Sequence, residues 1–178
     1  MDFAKIILYA VLAAMGFGFA YEAISAAVCV EYFTLGHRPL VATESPFWLG
    51  LQYSFLGWWW VGAALGSPLA IAGRIGGEIQ IKPGFFIKPL IALFVLVTLL
   101  AITGGAVGHY AEKTGRYPLQ TQWAGGYPAE KHAAYVALTW SHFAAYSAAL
   151  LGSAALIGWT WKKRSAFTRL VKASRGAL

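Results

Sequence analysis

The chain has 178 residues, of which 58% are hydrophobic and 12% charged, with a mean hydropathy of +0.58. A soluble globular domain carries about a quarter charged residues, so this composition excludes a free-standing Rossmann, TIM-barrel or P-loop enzyme and indicates an integral membrane protein. Fourteen Lys and Arg against seven Asp and Glu give a net charge of +7, and the single cysteine, Cys29, excludes an intrachain disulfide or a cysteine cluster for zinc or iron–sulfur.

The apolar residues gather into four segments, each near the roughly 20 residues that cross a bilayer. They predict one all-α domain of four transmembrane helices over residues 1–178, with spans at about 3–20 or 3–30, 47–73, 86–108 and 133–161. The first span has two possible ends. Stopping near residue 20 still covers about 27 Å, leaves Glu22 at the interface and makes 24–34 an extended segment outside the bilayer. Running to Val30 puts Glu22 about 12 Å deep. The β-branched and aromatic content of 24–34 favours the shorter helix. Gly18-Phe19-Ala20 also offers a signal-peptide cleavage pattern, which would leave three spans, although Asp2 and the apolar run through Ile24 to Val30 favour a retained helix.

Ser45 and Pro46 read as the N-cap and first residue of the second span. Trp58, Trp59 and Trp60 lie well inside it, below the interfacial belt. Successive residues project about 100° apart, so at least one Trp faces lipid, a pigment or a partner surface. Pro83, Gly84 and Pro89 break the next connection. Residues 109–132, with Tyr117, Trp123 and Tyr127, read as an ordered loop capping the outer mouth. Ten of the fourteen basic residues, Lys5, Arg74, Lys82, Lys88 and the six after residue 161, share one side. Arg38, Lys113, Arg116 and Lys131 share the other, so both termini are expected in the cytoplasm. The tail 162–178 reads as a short basic amphipathic helix on anionic lipid. Orientation alone accounts for the basic excess, and nucleic acid is not an expected partner.

In this topology all four histidines fall in the outward half, together with Glu22 and Glu31. Steps of three and four link His132, Tyr135, Thr139, His142, Tyr146 and Ser153 on the fourth helix, and Thr98, Gly105, His109 and Glu112 on the third. Lipid offers polar groups no partner, so a polar seam opening outward is expected on these two helices. His142, Tyr146, Thr139, Tyr135, Glu22 and Glu31 are the candidate ligand-binding residues. His37, His109, His132, His142 and Glu31 are a candidate metal set assembled from separate segments, since neither H-x-x-x-H nor E-x-x-H occurs. The plainer alternative is that His142 bonds Tyr146 or a neighbouring helix and fixes helix register. A bis-histidine haem lacks a mate for His142 at equal depth; pigment ligation by one histidine stays open, and no cofactor is identified.

Small residues recur every four positions at Ala10, Ala14 and Gly18 and at Ala144, Ala148 and Gly152, the pattern that lets helices approach closely in lipid. With those rows used inside the bundle, Gly62 and Gly66, beside the Trp cluster, are expected to meet a partner helix or a second copy.

Tyr21-Glu22-Ala23-Ile24-Ser25, Glu31-Tyr32-Phe33-Thr34, Trp59-Trp60-Val61-Gly62 with Arg74 and Gly76, and the H-x-x-x-Y of His142 and Tyr146 follow one another along the chain. In this order they resemble motifs of a group of small bacterial four-helix integral membrane proteins. Glu22, Ala23 and Phe143 stand where that group carries Asp, Gln and Asn. The resemblance implies the fold, the topology and a bacterial inner membrane, and no activity.

Three functions fit the residues. A non-catalytic membrane subunit or scaffold packing against partner helices needs the fewest unseen parts and is the preferred reading. A binding or transport protein would use the outer His and Glu residues for a metal ion or small ligand. A membrane enzyme or pigment-binding subunit would need catalytic groups or a cofactor that no nucleophile elbow, phosphate loop or zincin helix supplies.

Overall fold

Lipid cannot hydrogen-bond an exposed backbone, so an apolar segment entering it folds as a helix. The computed structural model describes residues 1–37, 40–76, 79–120 and 124–175, which form helices and the connections between them, with no strand among them. Arg38, Glu78, Trp123 and the last three residues of the tail lie outside the described residues.

Helix α1 spans Asp2–Val28 without interruption, about 40 Å at 1.5 Å per residue. The preferred ending near residue 20 is therefore corrected. The row of small residues continues, and Ala10, Ala14, Gly18, Glu22 and Ala26 form one buried face. The helix breaks at Cys29, whose backbone is extended (φ −152°, ψ 93°) while its N–H still reaches the Ser25 carbonyl. The expected extended segment is instead a second short helix, α2 (Val30–Thr34), which buries Tyr32 and Phe33. A β preference of under about 1 kcal/mol per residue is outweighed by that burial and by the need to pair the backbone.

The second span is broken. Helix α3 (Pro46–Gly57) and helix α4 (Trp59–Arg74) meet at Trp58 with a bend of 40°. Gly57 stands immediately before the bend, and the Ser54 hydroxyl donates to the Met15 carbonyl of α1 at 2.7 Å. After a 3-10 turn at Pro83–Phe86, helix α5 covers Ile87–Lys113. Helix α6 then runs from His132 to Arg175, 44 residues and about 66 Å. Among the described residues three helices are long and apolar enough to cross a membrane, and α3 with α4 makes a fourth if taken as one bent span.

The basic tail continues α6 unbroken and does not form a separate surface helix. Arg164 does not end that helix; it is buried, donates to the Ile71 carbonyl in the last turn of α4 at 3.4 Å and lies over the Trp161 ring. A cation at a helix C-terminus is favourable, and here it ties α4 to α6.

Two packed groups result. Helix α1 lies against α3 and α4, helix α5 lies against α6, and α4 joins the groups by touching α6. Helices α1 and α5 scarcely meet and leave an apolar groove of about 570 Å³ between Leu12, Phe17, Leu90 and Phe94. Gly62 and Gly66 belong to the α1–α4 interface, not to a partner surface: a Cβ on Gly62 would lie 2.5 Å from the Val11 Cα, and one on Gly66 2.9 Å from the Ile7 Cα. Gly62→Ala is therefore expected to destabilise the chain by about 1–3 kcal/mol. Gly16→Ala, with nothing within 4 Å of the added carbon, is expected to be neutral or stabilising. Unfolding in detergent micelles followed by circular dichroism checks this, and equal losses would contradict the assigned packing.

Candidate functional site

The four-residue period that buries Ala10 and Ala14 also buries Glu22, so a carboxyl group enters the interior of the bundle, about 9 Å along α1 from its end. Such a group is costly unless every oxygen finds a partner. The bend at Trp58 supplies one. Gly18 has no side chain to block the indole, which is fully buried against it, and Trp58 Nε1–H donates to Glu22 Oε1 at 2.9 Å. Helix α6 supplies the other: His142 Nε2 lies 3.0 Å from Glu22 Oε2.

The second imidazole nitrogen fixes how many protons this pair holds. His142 Nδ1 is 2.8 Å from the Leu138 carbonyl, which only accepts, so Nδ1 carries hydrogen. One further proton must then lie between Nε2 and Oε2, since without it two lone pairs would face each other. The pair is either a carboxylic acid donating to neutral imidazole or an imidazolium donating to carboxylate. Both forms have zero net charge.

Aromatic rings enclose the pair. The Tyr32 ring stacks on the His142 ring at 5.1 Å, and Tyr21 meets it edge-on at 4.9 Å with its hydroxyl 2.8 Å from Ser141 Oγ. Tyr146 stacks on Trp58 at 5.1 Å, and the Tyr53 hydroxyl donates to the Phe33 carbonyl at 3.2 Å. A cavity of about 230 Å³ opens onto the pair, lined by Glu22, Tyr32, Phe33, Tyr53, His142 and Tyr146 and, toward its rims, by His37, Leu56 and Gly57. His37 Nδ1–H donates to the Tyr32 carbonyl at 2.9 Å and its ring is exposed.

Of the residues expected to bind a ligand, Glu22, His142 and Tyr146 meet here. Thr139 is exposed and its hydroxyl donates to the Tyr135 carbonyl. Tyr135 lies beyond the cavity, 5.2 Å from Tyr32 and 4.4 Å from Tyr127, ring to ring. Glu31 pairs with Lys131 at 3.3 Å and accepts the Cys29 thiol.

The metal set is corrected: no group of three or more His, Cys, Asp or Glu among the described residues is placed to hold a metal ion. His109 is exposed, and His132 Nε2 faces the carbonyls of Ala124 and Tyr127 at 3.2 Å. The polar seam on the third and fourth helices is corrected as well. Gly104 and Gly108 of α5 face Trp140 and Ala144 of α6, Thr98 and His109 are exposed, and the polar cluster is built by α1, α2, the α3–α4 bend and α6. Trp58, expected at a partner surface, is the largest fully buried side chain, while Trp59 and Trp60 are about half exposed.

Sequence reasoning missed Tyr21, Tyr32, Tyr53 and Ser141 as parts of the site. The signal that could have found them is the small-residue row running on through Glu22 to Ala26: a helix that long brings Tyr21 and the Glu31–Thr34 stretch to the level of His142. No protein-family model, curated protein or solved structure matches the chain.

Glu22→Gln keeps every bond of the acid form, its carbonyl accepting from Trp58 and its amide donating to His142 Nε2, so it is expected to stay within about 1 kcal/mol of the parent. Glu22→Ala leaves Trp58 and His142 without their acceptor and is expected to cost about 3 kcal/mol. Unfolding in micelles measures both, and a Gln variant as damaged as the Ala variant would disprove the proton count. At the α2 end, burial raises the Glu31 pKa, but its own backbone N–H, the Cys29 thiol and the Lys131 ammonium outweigh burial and hold it below the usual glutamate range. A lowered folded pKa contributes stability above the unfolded value of about 4.3 that is lost as pH falls through the folded one. A titration from neutral to acid pH should show this loss in the parent and less of it in Lys131→Ala.

Proposed function

We propose that the chain is a membrane-embedded binding protein that takes a small ligand into the cavity between α1, α2, α3 and α6 and holds it against the Glu22–His142 pair. The observation that carries this reading is that the pair faces a cavity. A polar group that only fixed helix register would be packed over. Ionisable residues within a membrane segment are costly and mark binding or proton-handling sites, and an aromatic-walled cleft with a few convergent polar groups suits a small molecule. At about 230 Å³ the cavity lies below the roughly 300–1,000 Å³ of sites for drug-sized ligands.

Metal is not part of this proposal. For a scaffold that packs against partner helices, Trp59 and Trp60 are the outward features, since Trp58, Gly62 and Gly66 are used within the chain. With both termini cytoplasmic, as the basic residues suggest, the cavity belongs to the outer half of a bacterial inner membrane. Exposed Lys162, Lys163 and Arg169 near Trp159 and Trp161 then suit anionic lipid on the inner face.

A panel of small aromatic compounds, neutral and charged, tests the cavity by thermal unfolding in micelles. At least one is expected to raise the unfolding temperature of the parent and to have no effect on Gly57→Leu, whose side chain would start 3.3 Å from the Tyr146 hydroxyl and fill the space. No shift in the parent, or shifts that persist in the variant, would overturn the proposal.

A further inference from the structure

Resting on the reading of this cavity as a binding site, we infer that its ligand is a protonated primary or secondary amine, whose N–H groups take the place of the proton shared by Glu22 Oε2 and His142 Nε2. The walls set the sign of the ligand's charge. Tyr32, Phe33, Tyr53 and Tyr146 present electron-rich rings, the floor carries a carboxyl group, and no Lys or Arg among the described residues lines the cavity. An anion meets nothing favourable there, whereas a cation is attracted by ring faces within about 6 Å.

Charge balance dictates what happens to the proton. The pair is neutral with it, so a cation entering beside it would leave one uncompensated charge in a low-dielectric interior. If the proton leaves, carboxylate and ammonium cancel. The step is R–NH3⁺ plus the protonated pair giving the Glu22 carboxylate, neutral His142 and bound R–NH3⁺, with one H⁺ released to water; no covalent bond to carbon changes.

Donor counting selects the amine. Departure of the proton leaves two acceptors, Oε2 and Nε2, 3.0 Å apart, while Nδ1–H stays on Leu138 and Oε1 stays on Trp58. An ammonium with two or more N–H groups satisfies both acceptors. A quaternary ammonium satisfies neither, an alcohol satisfies one, and a metal ion finds too few ligands among the described residues. The titratable groups around the pair are Tyr21 of α1, Tyr32 of α2, Tyr53 of α3, Tyr146 of α6 and, at the rim, His37. The phenols ionise only near pH 10 in water, and neither α4 nor α5 contributes a titratable residue to the cavity lining. Inside the cavity the exchangeable proton is thus the one between Glu22 and His142; the proton of His37 sits on an exposed ring at the rim and would survive Glu22→Gln, which separates the two.

Titration calorimetry of the full chain in micelles tests this with benzylamine, benzyltrimethylammonium and benzyl alcohol, in two buffers of different ionisation heat. Benzylamine is expected to release about one proton per molecule bound and to bind about tenfold more tightly per pH unit between about pH 6 and pH 8, as linkage requires for one released proton. The quaternary ion and the alcohol should bind at least about tenfold more weakly. Glu22→Gln, which keeps the bonds of the acid form but has no proton to give up, should lose benzylamine affinity by a similar factor together with its pH dependence. Benzylamine binding without proton release, or a quaternary ion that binds equally well, overturns the inference. Binding of the alcohol but not the amine overturns it and leaves the cavity as a binding site, whereas silence from all three removes both.

Discussion

Glu22 is buried in the interior of the bundle, and that burial organises the molecule. A carboxyl group in such surroundings needs partners for both oxygens, and it finds them on two other parts of the chain: the indole at the α3–α4 bend and the imidazole of α6. The bend at Trp58, the missing side chain at Gly18 and the long uninterrupted α1 each bring one of these groups within reach. Replacing Glu22 and His142 by apolar residues of similar bulk would suit simple packing as well or better. Glu22 and His142 line the cavity, and the fully buried Trp58 holds the carboxyl group from the other side.

Much of the fold was legible because the bilayer is a strict solvent. Four apolar segments and the buried row through Ala10, Ala14 and Gly18 follow from length and period, and the start of the second at Pro46 from its N-cap and proline. The end of the first helix did not, because 24–34 carries β-branched and aromatic residues whose local preference points one way and whose burial points the other. Choosing local preference hid Glu22 at the interface and scattered the site. The break at Trp58 was illegible for a different reason: its backbone keeps both helical hydrogen bonds, and no proline marks it. What holds it is a contact with Gly18, forty residues earlier in the chain.

The site itself was half visible. His142, Tyr146 and Glu22 stood out because polar groups in an apolar run need explaining. Their aromatic surroundings did not, because Tyr32 lay in a stretch placed outside the bilayer and nothing in the spacing of Tyr53 set it apart from the apolar run around it. The histidines show the opposite error. Sharing one side of the membrane made them look like a set, yet three of the four spend a ring nitrogen on a nearby carbonyl, at Tyr32, at Ala124 and Tyr127, and at Leu138. Among the described residues, only His142 keeps its other nitrogen on an acid. That local carbonyl fixes the tautomer and so gives the pair a defined proton.

The ring of helices is not closed. Helices α1 and α5 leave a furrow, α4 and Arg164 hinge the two groups along one edge, and the Glu22–His142 contact clasps them from inside. Along this furrow lipid would supply the wall that protein leaves open, except where Phe17 stacks on Phe94 across it at 5.1 Å.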